Sequence, residues 1–495
     1  MDKQEFIDMA LREGMLDFGE NPYSLKSGRQ SRLWFNMGNA DDGEVVGKLE
    51  EIYADLISED VGDKPVVCFG IPYKCVNVAS HAATGLMKKG HKAKWNTYRK
   101  EEKEHGGDAK AMLVARGDNI KLCGGRVAVV DDVMTTGQSK YDAQDVLKEL
   151  AVEDEFKLDV VGVYLLVDRE EVSTIDPSVS AIKQFEEATG YKVKSYIKAT
   201  ELIEAGRKKG LINEDQYKSF LTYFRVYGAP EVLKLYVDKK AIEAKILTQP
   251  LFMPIDRGIW PACDFTDLEL YKNLLEVTAD LDKVSGVKVS SLLAKEHSLG
   301  KIVEVTKKIA PNKKIINDHQ KAGSDIAEMV YKQVQQDARL GCDATIIFPV
   351  QGGTEALLAG IHSGYEHGIN VIVGSHMTHH GFLREDGGCA TLEDCERFYK
   401  IAGSKGIRNF VMPGTFPEYI RHYREMLANM EVAPICIDSP GLVQQGGNIS
   451  EGGMAAGKYY NGIVGRYIYE VEGKPGIYRK PDEMRRICEK LIKRL

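Results

Sequence analysis

At 495 residues the chain exceeds the length of one ordinary domain, and two or three domains are expected. Hydrophobic residues make up 43% and charged residues 28% of the sequence, as in water-soluble globular proteins, and no apolar run is long enough for a membrane span. The net charge of −7 argues against a nucleic-acid-binding surface. The first residues carry acids and lack the apolar core of a signal peptide. The nine cysteines form no CxxC pair, so we expect free thiols in a reducing cytoplasm.

The first 205 residues alternate strand-like apolar runs with helical stretches. Val66–Gly70, Arg126–Asp131 and Val160–Val167 have the continuous apolar character of buried strands in a parallel sheet. This region is therefore predicted to be an α/β domain, a parallel sheet flanked by helices.

Strand signals are absent between residues 206 and 248. Two helices are predicted there, Glu214–Tyr227 and Pro230–Ile246, and the second opens with proline at its first position. We interpret the segment as a helical linker.

From residue 249 to 495 short apolar runs recur, most of them followed by a helical stretch. The region has close to the ~250 residues typical of a (β/α)₈ TIM barrel, so we predict that fold. Barrels of this kind carry their chemistry at the carboxyl ends of the strands. The eight runs are Ile259–Cys263, Gly286–Val289, Lys314–Ile316, Ala344–Phe348, Val371–Gly374, Asn409–Met412, Ala433–Ile437 and Gly462–Gly465.

The strongest motif in the first domain is Val127-Ala-Val-Val-Asp-Asp-Val-Met-Thr-Thr-Gly137. A buried strand runs into two carboxylates and then a hydroxyl-rich turn before a helix, an arrangement that binds phosphate through backbone N–H groups. Thr135, Thr136 and Ser139 add hydroxyl donors. Asp131 and Asp132 repel phosphate but suit a ribose diol or a Mg²⁺ ion. The alternative, a solvated turn without ligand, is disfavoured because two acids against an apolar strand are costly without a partner.

This motif, with Gly137 in its turn, resembles the PRPP-binding motif of type I phosphoribosyltransferases. Residues 1–205 resemble orotate phosphoribosyltransferases in particular. Tyr98–Gly107 resembles that family's mobile catalytic loop, because four cations precede two glycines, as suits a flap that closes over pyrophosphate. A solvated charged loop is the alternative. The resemblance implies PRPP contacts from Arg99 and Lys100 and catalytic roles for Lys103 and His105.

Three shorter matches flank this motif in the family's order. Leu25–Arg29 with Trp34-Phe35-Asn36 resembles the segment that places a lysine, here Lys26, on pyrophosphate and an aromatic ring, here Phe35, against orotate. Tyr73-Lys74 resembles a second pyrophosphate contact, which assigns Lys74. Val167–Glu170 resembles the strand end whose arginine, here Arg169, holds the orotate carboxylate.

The resemblance implies displacement of pyrophosphate by N1 of orotate at the anomeric carbon, with Mg²⁺ as cofactor and no covalent enzyme intermediate. It also implies a homodimer, because the family's flap serves the neighbouring subunit.

In the predicted barrel, Ile315–Ile326 places Asp318, Lys321 and Asp325 at the end of the third strand. An ammonium flanked by carboxylates stays charged and poised to donate a proton. The segment resembles that of orotidine 5′-phosphate decarboxylases, which stabilise a carbanion as CO₂ departs without metal or cofactor. The spacing here is one residue longer on each side of the lysine, so Lys321 is the best-supported member. A non-catalytic, ion-paired strand end is the alternative.

Other strand ends of the barrel match the same family. Asp264 resembles its ribose-contacting aspartate, Lys288 its active-site lysine and Thr378 its pyrimidine-contacting hydroxyl. The three histidines around Thr378 are not accompanied by an acid or cysteine at ligand spacing, so a metal site is disfavoured. Barrels bind phosphate after strands seven and eight, and the residues matching that site are Gln445, Gly446, Gly447 and Arg466.

The domain order resembles that of the bifunctional UMP synthase family, in which the product of the first site is the substrate of the second. The ligands this implies are orotate, PRPP, orotidine 5′-phosphate and UMP. We expect a cytoplasmic protein without nucleic-acid or membrane partners. Two alternatives stay open: a barrel that is a Mg²⁺-dependent sugar-phosphate lyase or synthase of the same superfamily, and a non-catalytic nucleotide sensor.

Overall fold

The computed structural model describes residues 1–99, 113–115, 118–237, 249–252, 255–318 and 323–495. The chain divides into two compact units, Met1–Ala244 and Lys245–Leu495. Among the described residues, no helix combines the length and the apolar character needed to cross a lipid bilayer.

The first unit alternates strands and helices along most of its length. It also contains a short 3₁₀ turn at Met37–Asn39 and a π turn at Leu233–Val237. In chain order its elements are α1 (Lys3–Arg12), β1 (Leu16–Ser24), β2 (Gln30–Phe35), α2 (Gly43–Val61), β3 (Val66–Gly70), α3 (Val76–Lys88), β4 (Ala93–Thr97), α4 (Asn119–Leu122), β5 (Arg126–Met134), α5 (Gln138–Glu153), β6 (Asp159–Asp168), α6 (Ala181–Thr189), β7 (Val193–Lys198), α7 (Ala199–Lys208), α8 (Glu214–Tyr227) and α9 (Pro230–Val232).

The core of the first unit is a five-stranded parallel sheet in the order β4-β3-β5-β6-β7, with β1 and β2 forming a separate antiparallel hairpin. β3 is buried along its whole length, and β5 is buried from Val127 to Asp131. Continuous burial is expected where helices cover both faces of a parallel sheet. The three strands predicted from the sequence are confirmed. β5 extends to Met134, and β6 is one residue longer at each end than predicted.

Helix α8 begins and ends where the sequence predicted. Its start is fixed by Asn213, whose side chain accepts the N–H of Gln216 in a capping box. The helix packs within the first unit: Phe220 lies edge-to-face on Phe18, with ring centroids 6.1 Å apart. Within the predicted second helix, the described residues form Pro230–Val232 and the π turn, and residues 238–246 lie outside the described part. The domain boundaries at 205 and 248 stay predictions.

The second unit is a closed barrel of eight strands with helices between them. Its elements are β8 (Arg257–Cys263), α10 (Leu268–Thr278), β9 (Gly286–Ser290), α11 (Ser291–His297), α12 (Leu299–Ile309), β10 (Lys314–Asp318), α13 (Ala327–Leu340), β11 (Ala344–Ile347), α14 (Gly353–His367), β12 (Asn370–Gly374), a 3₁₀ turn (Arg384–Asp386), α15 (Leu392–Ser404), β13 (Asn409–Val411), α16 (Pro417–Asn429), β14 (Cys436–Ser439), α17 (Ile449–Ala456), β15 (Tyr459–Val464), α18 (Arg466–Tyr469) and α19 (Pro481–Ile492).

All neighbouring barrel strands are parallel, and β15 pairs with β8 to close the ring. The (β/α)₈ prediction is confirmed, since each of the eight apolar runs overlaps one strand. The seventh strand begins at Cys436 rather than at Ala433, because Pro434 has no N–H to donate to a ladder. Apolar side chains fill the barrel, among them Trp260, Ile316 and Ile463, so its chemistry is left to the strand ends.

Asp438 on β14 is a buried carboxylic acid with 1% exposure. Nδ2 of Asn461, on the neighbouring β15, donates to its Oδ1 at 2.8 Å, and the described residues offer Oδ2 no hydrogen-bond partner. Burial raises the pKa of Asp438 from 3.8 to about 7, although the Asn461 hydrogen bond opposes the shift. The stability of the barrel should therefore depend on pH through this residue.

We expect Asp438→Asn to remove part of that pH dependence. Because the pKa is higher in the folded than in the unfolded chain, the cost of burying Asp438 grows as pH rises from about 4 to about 7. Relative to the variant, the unaltered barrel should lose on the order of a few kcal/mol of unfolding free energy across this window. Denaturant unfolding followed by circular dichroism at both ends of the window measures the difference.

The matched control is Asp256→Asn, because the Asp256 side chain is 71% exposed. It should leave the pH profile unchanged. Parallel pH profiles for Asp438→Asn and the unaltered chain would contradict the expectation.

Candidate active sites

The first candidate site lies at the carboxyl end of β5. The strand leads into Asp131, which is buried, and Asp132, which is half-buried. The turn at residues 135–137 contains Thr135 and Thr136 and ends at Gly137, whose φ of 84° favours glycine. Helix α5 begins at the next residue. The predicted strand–turn–helix is therefore confirmed, and the first N–H groups of α5 offer the arrangement that binds anions at helix starts.

The Asp131 carboxylate is held within the protein. It forms a buried ion pair with the Lys140 ammonium, and Ser139 Oγ donates to Oδ2 at 3.3 Å. Cys75 Sγ lies 3.5 Å from Oδ1, and the Tyr53 hydroxyl donates to the Asp131 carbonyl at 2.9 Å. The sequence predicted a ligand-binding hydroxyl at Ser139 but none of the other three partners. The sequence did contain a signal for the Lys140 contact. A lysine in the first turn of a helix is disfavoured by the helix dipole, so it needs a nearby carboxylate.

Asp132 has a different environment. Its Oδ1 accepts the N–H of Val133 at 2.8 Å. Burial and the adjacent Asp131 carboxylate raise the pKa of Asp132 to about 6, while Lys140 and Lys74 oppose the shift. A cation or hydroxyl donor from a ligand would stabilise the charged form.

Ligand atoms of Cys75, Asp131 and Asp132 lie within 4.8 Å of one another. Burial and the neighbouring carboxylates raise the pKa of the Cys75 thiol well above its ordinary value, so the thiol stays protonated. Mg²⁺ prefers oxygen ligands, so the carboxylates fit this ion. Asp132 is the better placed of the two, because Lys140 occupies Asp131.

The structure joins two of the short predicted segments. Lys74 Nζ donates to Asn36 Oδ1 at 3.2 Å, and Lys74 acts electrostatically on Asp132. Lys26 is exposed in the turn after β1, and Arg99 is half-buried. The other flap residues with predicted roles lie outside the described part of the chain: Lys100, Lys103 and His105.

The aromatic residues at the end of β2 face opposite ways. Phe35 is 7% exposed and packs against Phe6, with ring centroids 6.4 Å apart. Trp34 is half-buried against Tyr23, with centroids 5.1 Å apart. Alternation along the strand therefore turns the predicted orotate contact, Phe35, into the core, and leaves Trp34 as the more accessible ring.

Arg169 lies in a buried network rather than in an open pocket. Its Nε donates to Glu171 Oε1 at 2.6 Å, and its Nη atoms donate to Leu33 O at 3.2 Å and Ser31 Oγ at 2.9 Å. These contacts fix the end of β6 against β2. They occupy donors that an orotate carboxylate would need, so the predicted orotate contact of Arg169 stays a prediction.

Glu171 is the centre of this network. Its second oxygen accepts from Arg29 Nη1 at 2.6 Å, and the Tyr223 hydroxyl of α8 donates to the first at 2.7 Å. Burial alone would raise the pKa of Glu171, but the two guanidinium groups outweigh it and lower the pKa. No motif in the sequence assigns a role to Glu171, Arg29 or Tyr223.

We expect Glu171→Gln to destabilise the first unit by about 3–5 kcal/mol, because two buried guanidinium groups lose their counter-charge. Urea unfolding followed by tryptophan fluorescence measures the change. The control is Glu187→Gln, since this side chain is 64% exposed and 3.9 Å from Lys183. It should cost less than about 1 kcal/mol. Equal stabilities of the two variants would refute a central role for Glu171.

The second candidate site is a cavity of about 180 Å³ at the carboxyl ends of the barrel strands. Its wall includes apolar groups from Ile346, Phe348 and Val411. Six residues predicted from separate strand ends also line it: Asp264, Lys288, Asp318, Thr378, Gln445 and Arg466.

Lys288 links two carboxylates in this cavity. Its ammonium contacts Asp318 and lies 3.4 Å from Asp264 Oδ1. The Lys288 and Asp318 side chains are each 7% exposed, whereas Asp264 is 47% exposed. Burial alone would lower the pKa of Lys288, but the two carboxylates outweigh it and raise the pKa. The ammonium therefore stays charged.

Of the remaining members of the predicted acid–lysine–acid segment, the structure describes Asp325 and not Lys321. Lys321 lies outside the described residues. Asp325 is exposed just before α13, its Oδ1 accepts the N–H of Ile326 at 2.7 Å, and it does not line the cavity. Its predicted catalytic role therefore stays a prediction.

Loops after β12, β14 and β15 meet at the cavity. Thr378 Oγ1 donates to Gln445 Oε1 at 2.6 Å. Gly446 has a φ of 92°, and a Cβ on Gly447 would lie 2.6 Å from Gly414 O, so side chains are disfavoured at both positions. Arg466 follows β15 after Gly465 and is exposed at the cavity. Backbone and guanidinium donors thus lie where barrels bind phosphate.

His376 also lines the cavity, which the sequence did not predict. Its Nδ1 is 2.8 Å from the Tyr423 hydroxyl. Burial lowers the pKa of His376 to about 4, so the ring is neutral. His379 and His380 are exposed. Among the described residues, none of these three histidines belongs to a cluster of three or more His, Cys, Asp or Glu side chains close enough to hold one metal ion.

The N-terminal half matches known proteins. Residues 41–192 match a family model described as a phosphoribosyl transferase domain. The chain is 33% identical over 232 residues to an orotate phosphoribosyltransferase of Clostridium acetobutylicum, covering 46% of this chain and 97% of that relative. The chain therefore belongs, through its N-terminal half, to the orotate phosphoribosyltransferase family.

Solved structures resemble each half. Orotidine 5′-monophosphate decarboxylase of Methanocaldococcus jannaschii, solved with the inhibitor BMP, has a TM-score of 0.40 and 22% identity, covering 48% of this chain and 98% of its own. Orotate phosphoribosyltransferase of Francisella tularensis has a TM-score of 0.35 and 27% identity, covering 46% of this chain and all of its own.

Proposed function

We propose that this chain makes UMP from orotate in two consecutive reactions. The first unit joins orotate to the ribose 5-phosphate of PRPP and releases pyrophosphate. The barrel then converts orotidine 5′-phosphate to UMP and CO₂. The observation that carries the proposal is the barrel cavity, where the Lys288–carboxylate array lies beside the loops after β14 and β15. The same chain contains a domain of the orotate phosphoribosyltransferase family.

In the first reaction, the turn and helix start after β5 bind the 5′-phosphate of PRPP, and Asp132 accepts hydrogen bonds from the ribose hydroxyls. Lys26, Lys74 and the flap containing Arg99 neutralise the pyrophosphate that leaves. Asp132 would hold Mg²⁺, which when bound would supply further charge neutralisation to that leaving group. N1 of orotate attacks the anomeric carbon, so no protein nucleophile is required.

In the second reaction, the buried array stabilises the carbanion that remains when CO₂ departs. Lys288 is held charged between Asp264 and Asp318, and Lys321 is assigned as the proton donor. The phosphate is bound by the Gln445 side chain, the backbone of Gly446 and Gly447, and the Arg466 guanidinium. Thr378 contacts the pyrimidine. Lysines supply the positive charge, so we assign no metal to this step. Asp325 is assigned to the site of a second subunit, as part of a proposed cytoplasmic homodimer.

The alternative barrel function, a Mg²⁺-dependent sugar-phosphate lyase or synthase, is not favoured. The Lys288 ammonium occupies the gap between Asp264 and Asp318. A metal ion bound by these two carboxylates would have to displace it.

Purified full-length protein supplied with orotate, PRPP and Mg²⁺ should yield UMP, CO₂ and pyrophosphate. Lys321→Ala should accumulate orotidine 5′-phosphate, with decarboxylation reduced about a thousand-fold or more because the proton donor is lost. Asp131→Asn with Asp132→Asn should stop the first step yet still convert added orotidine 5′-phosphate. Chromatography of nucleotides and trapping of labelled CO₂ separate the two reactions.

EDTA provides the control for the metal. It should stop the first reaction and spare the conversion of added orotidine 5′-phosphate. Loss of barrel activity in EDTA, or decarboxylation by Lys321→Ala at the unaltered rate, would count against the proposal.

Arg466→Ala should raise the KM for orotidine 5′-phosphate about ten-fold or more, because a charged hydrogen-bond donor to phosphate is lost. kcat should change little. Steady-state kinetics on added substrate measure both constants. Arg486→Ala is the control, since this arginine is exposed on α19 and does not line the cavity. A fall in kcat with an unchanged KM would remove Arg466 from phosphate binding.

A further inference from the structure

Lys140 is a buried cation at the start of α5, with a side chain that is 3% exposed. Its ammonium turns back toward β5, pairs with the Asp131 carboxylate and donates to Val133 O at 2.6 Å. Ser139 Oγ is its third neighbour, at 3.4 Å. An ammonium has three donors, so these contacts satisfy it within the protein.

This is an unfavourable place for a lysine. The first turn of a helix carries positive potential, and a buried ammonium is costly without a counter-charge. Asp131 supplies that counter-charge. The pair is therefore mutually dependent, and neither group is available to a ligand while it persists.

The two adjacent acids consequently differ in what they can bind. Asp131 is engaged by Lys140, Ser139 and Cys75. The Asp132 carboxylate accepts a neighbouring backbone N–H through one oxygen and is half-buried. The hydrogen bonds of the described residues leave its second oxygen for a ligand.

We propose that Lys140 is a positioning residue that commits Asp131 to the protein interior, so that Asp132 alone presents a carboxylate to the ribose hydroxyls of PRPP. The inference rests on the proposed function for the identity of that ligand. PRPP is a polyanion, and two unpaired carboxylates beside it would repel it. Neutralising one of them inside the protein keeps a single acceptor for the diol and reduces this repulsion.

The test is a double-mutant cycle on PRPP binding by the full-length chain, measured by calorimetry with Mg²⁺ and without orotate. Lys140→Met leaves Asp131 buried and unpaired and should weaken PRPP binding about ten-fold or more. Adding Asp131→Asn removes both charges and should restore binding to within about three-fold of the unaltered chain. Asp132→Asn should weaken binding about ten-fold or more, and Lys140→Met should not rescue it.

If Lys140→Met fails to fold, the comparison of Lys140→Met/Asp131→Asn with Asp132→Asn still decides the question. Conversion of added orotidine 5′-phosphate verifies that the barrel is intact in each variant. A paired variant that binds PRPP as poorly as Asp132→Asn would show that Asp131 or Lys140 contacts the ligand directly, and would overturn the inference. Absence of PRPP binding by the unaltered chain would overturn the proposed function itself.

Discussion

A buried lysine–aspartate pair lies at the carboxyl end of a parallel strand in each unit, and both candidate sites depend on it. Asp131 pairs with Lys140 in the first unit, and Asp318 pairs with Lys288 in the second. These four side chains are buried, and a buried charged group is costly unless a group of opposite charge lies beside it. The pairing decides which carboxylates stay within the protein and which remain for a ligand, such as Asp132.

Under the proposed function, the two units bind a phosphorylated ribose with different backbones. In the first, a turn that requires Gly137 directs N–H groups from the start of α5 to one place. In the second, loops after two barrel strands combine glycine backbone with Arg466. The proposed intermediate, orotidine 5′-phosphate, is the product of the first unit and the substrate of the second. The two proposed phosphate sites therefore take the same chemical group, although the folds that carry them are unrelated.

Strands buried on both faces were predictable because their apolar residues run without interruption, as in β3, or are broken by a single polar residue, as in β9. The hairpin β1–β2 and the strands β4 and β7 were not, because their exposed faces interrupt the apolar pattern: β4 reads Ala-Lys-Trp-Asn-Thr. Helix α8 was predicted to its ends. Its packing within the first unit was not, because local pattern does not specify what an apolar face contacts.

The sequence by itself determined the two fold classes, the motif after β5 and the strand-end residues that line the barrel cavity, because these follow from local spacing and from the rule that barrel strand ends converge. Only the tertiary structure decided how the charges are paired. In the folded chain Arg169 forms an ion pair with Glu171, Lys140 forms an ion pair with Asp131, and Asp325 does not line the cavity. Ion pairing depends on the distance between the charges and on their burial. Both are set by which segments of the chain pack against each other in the folded protein.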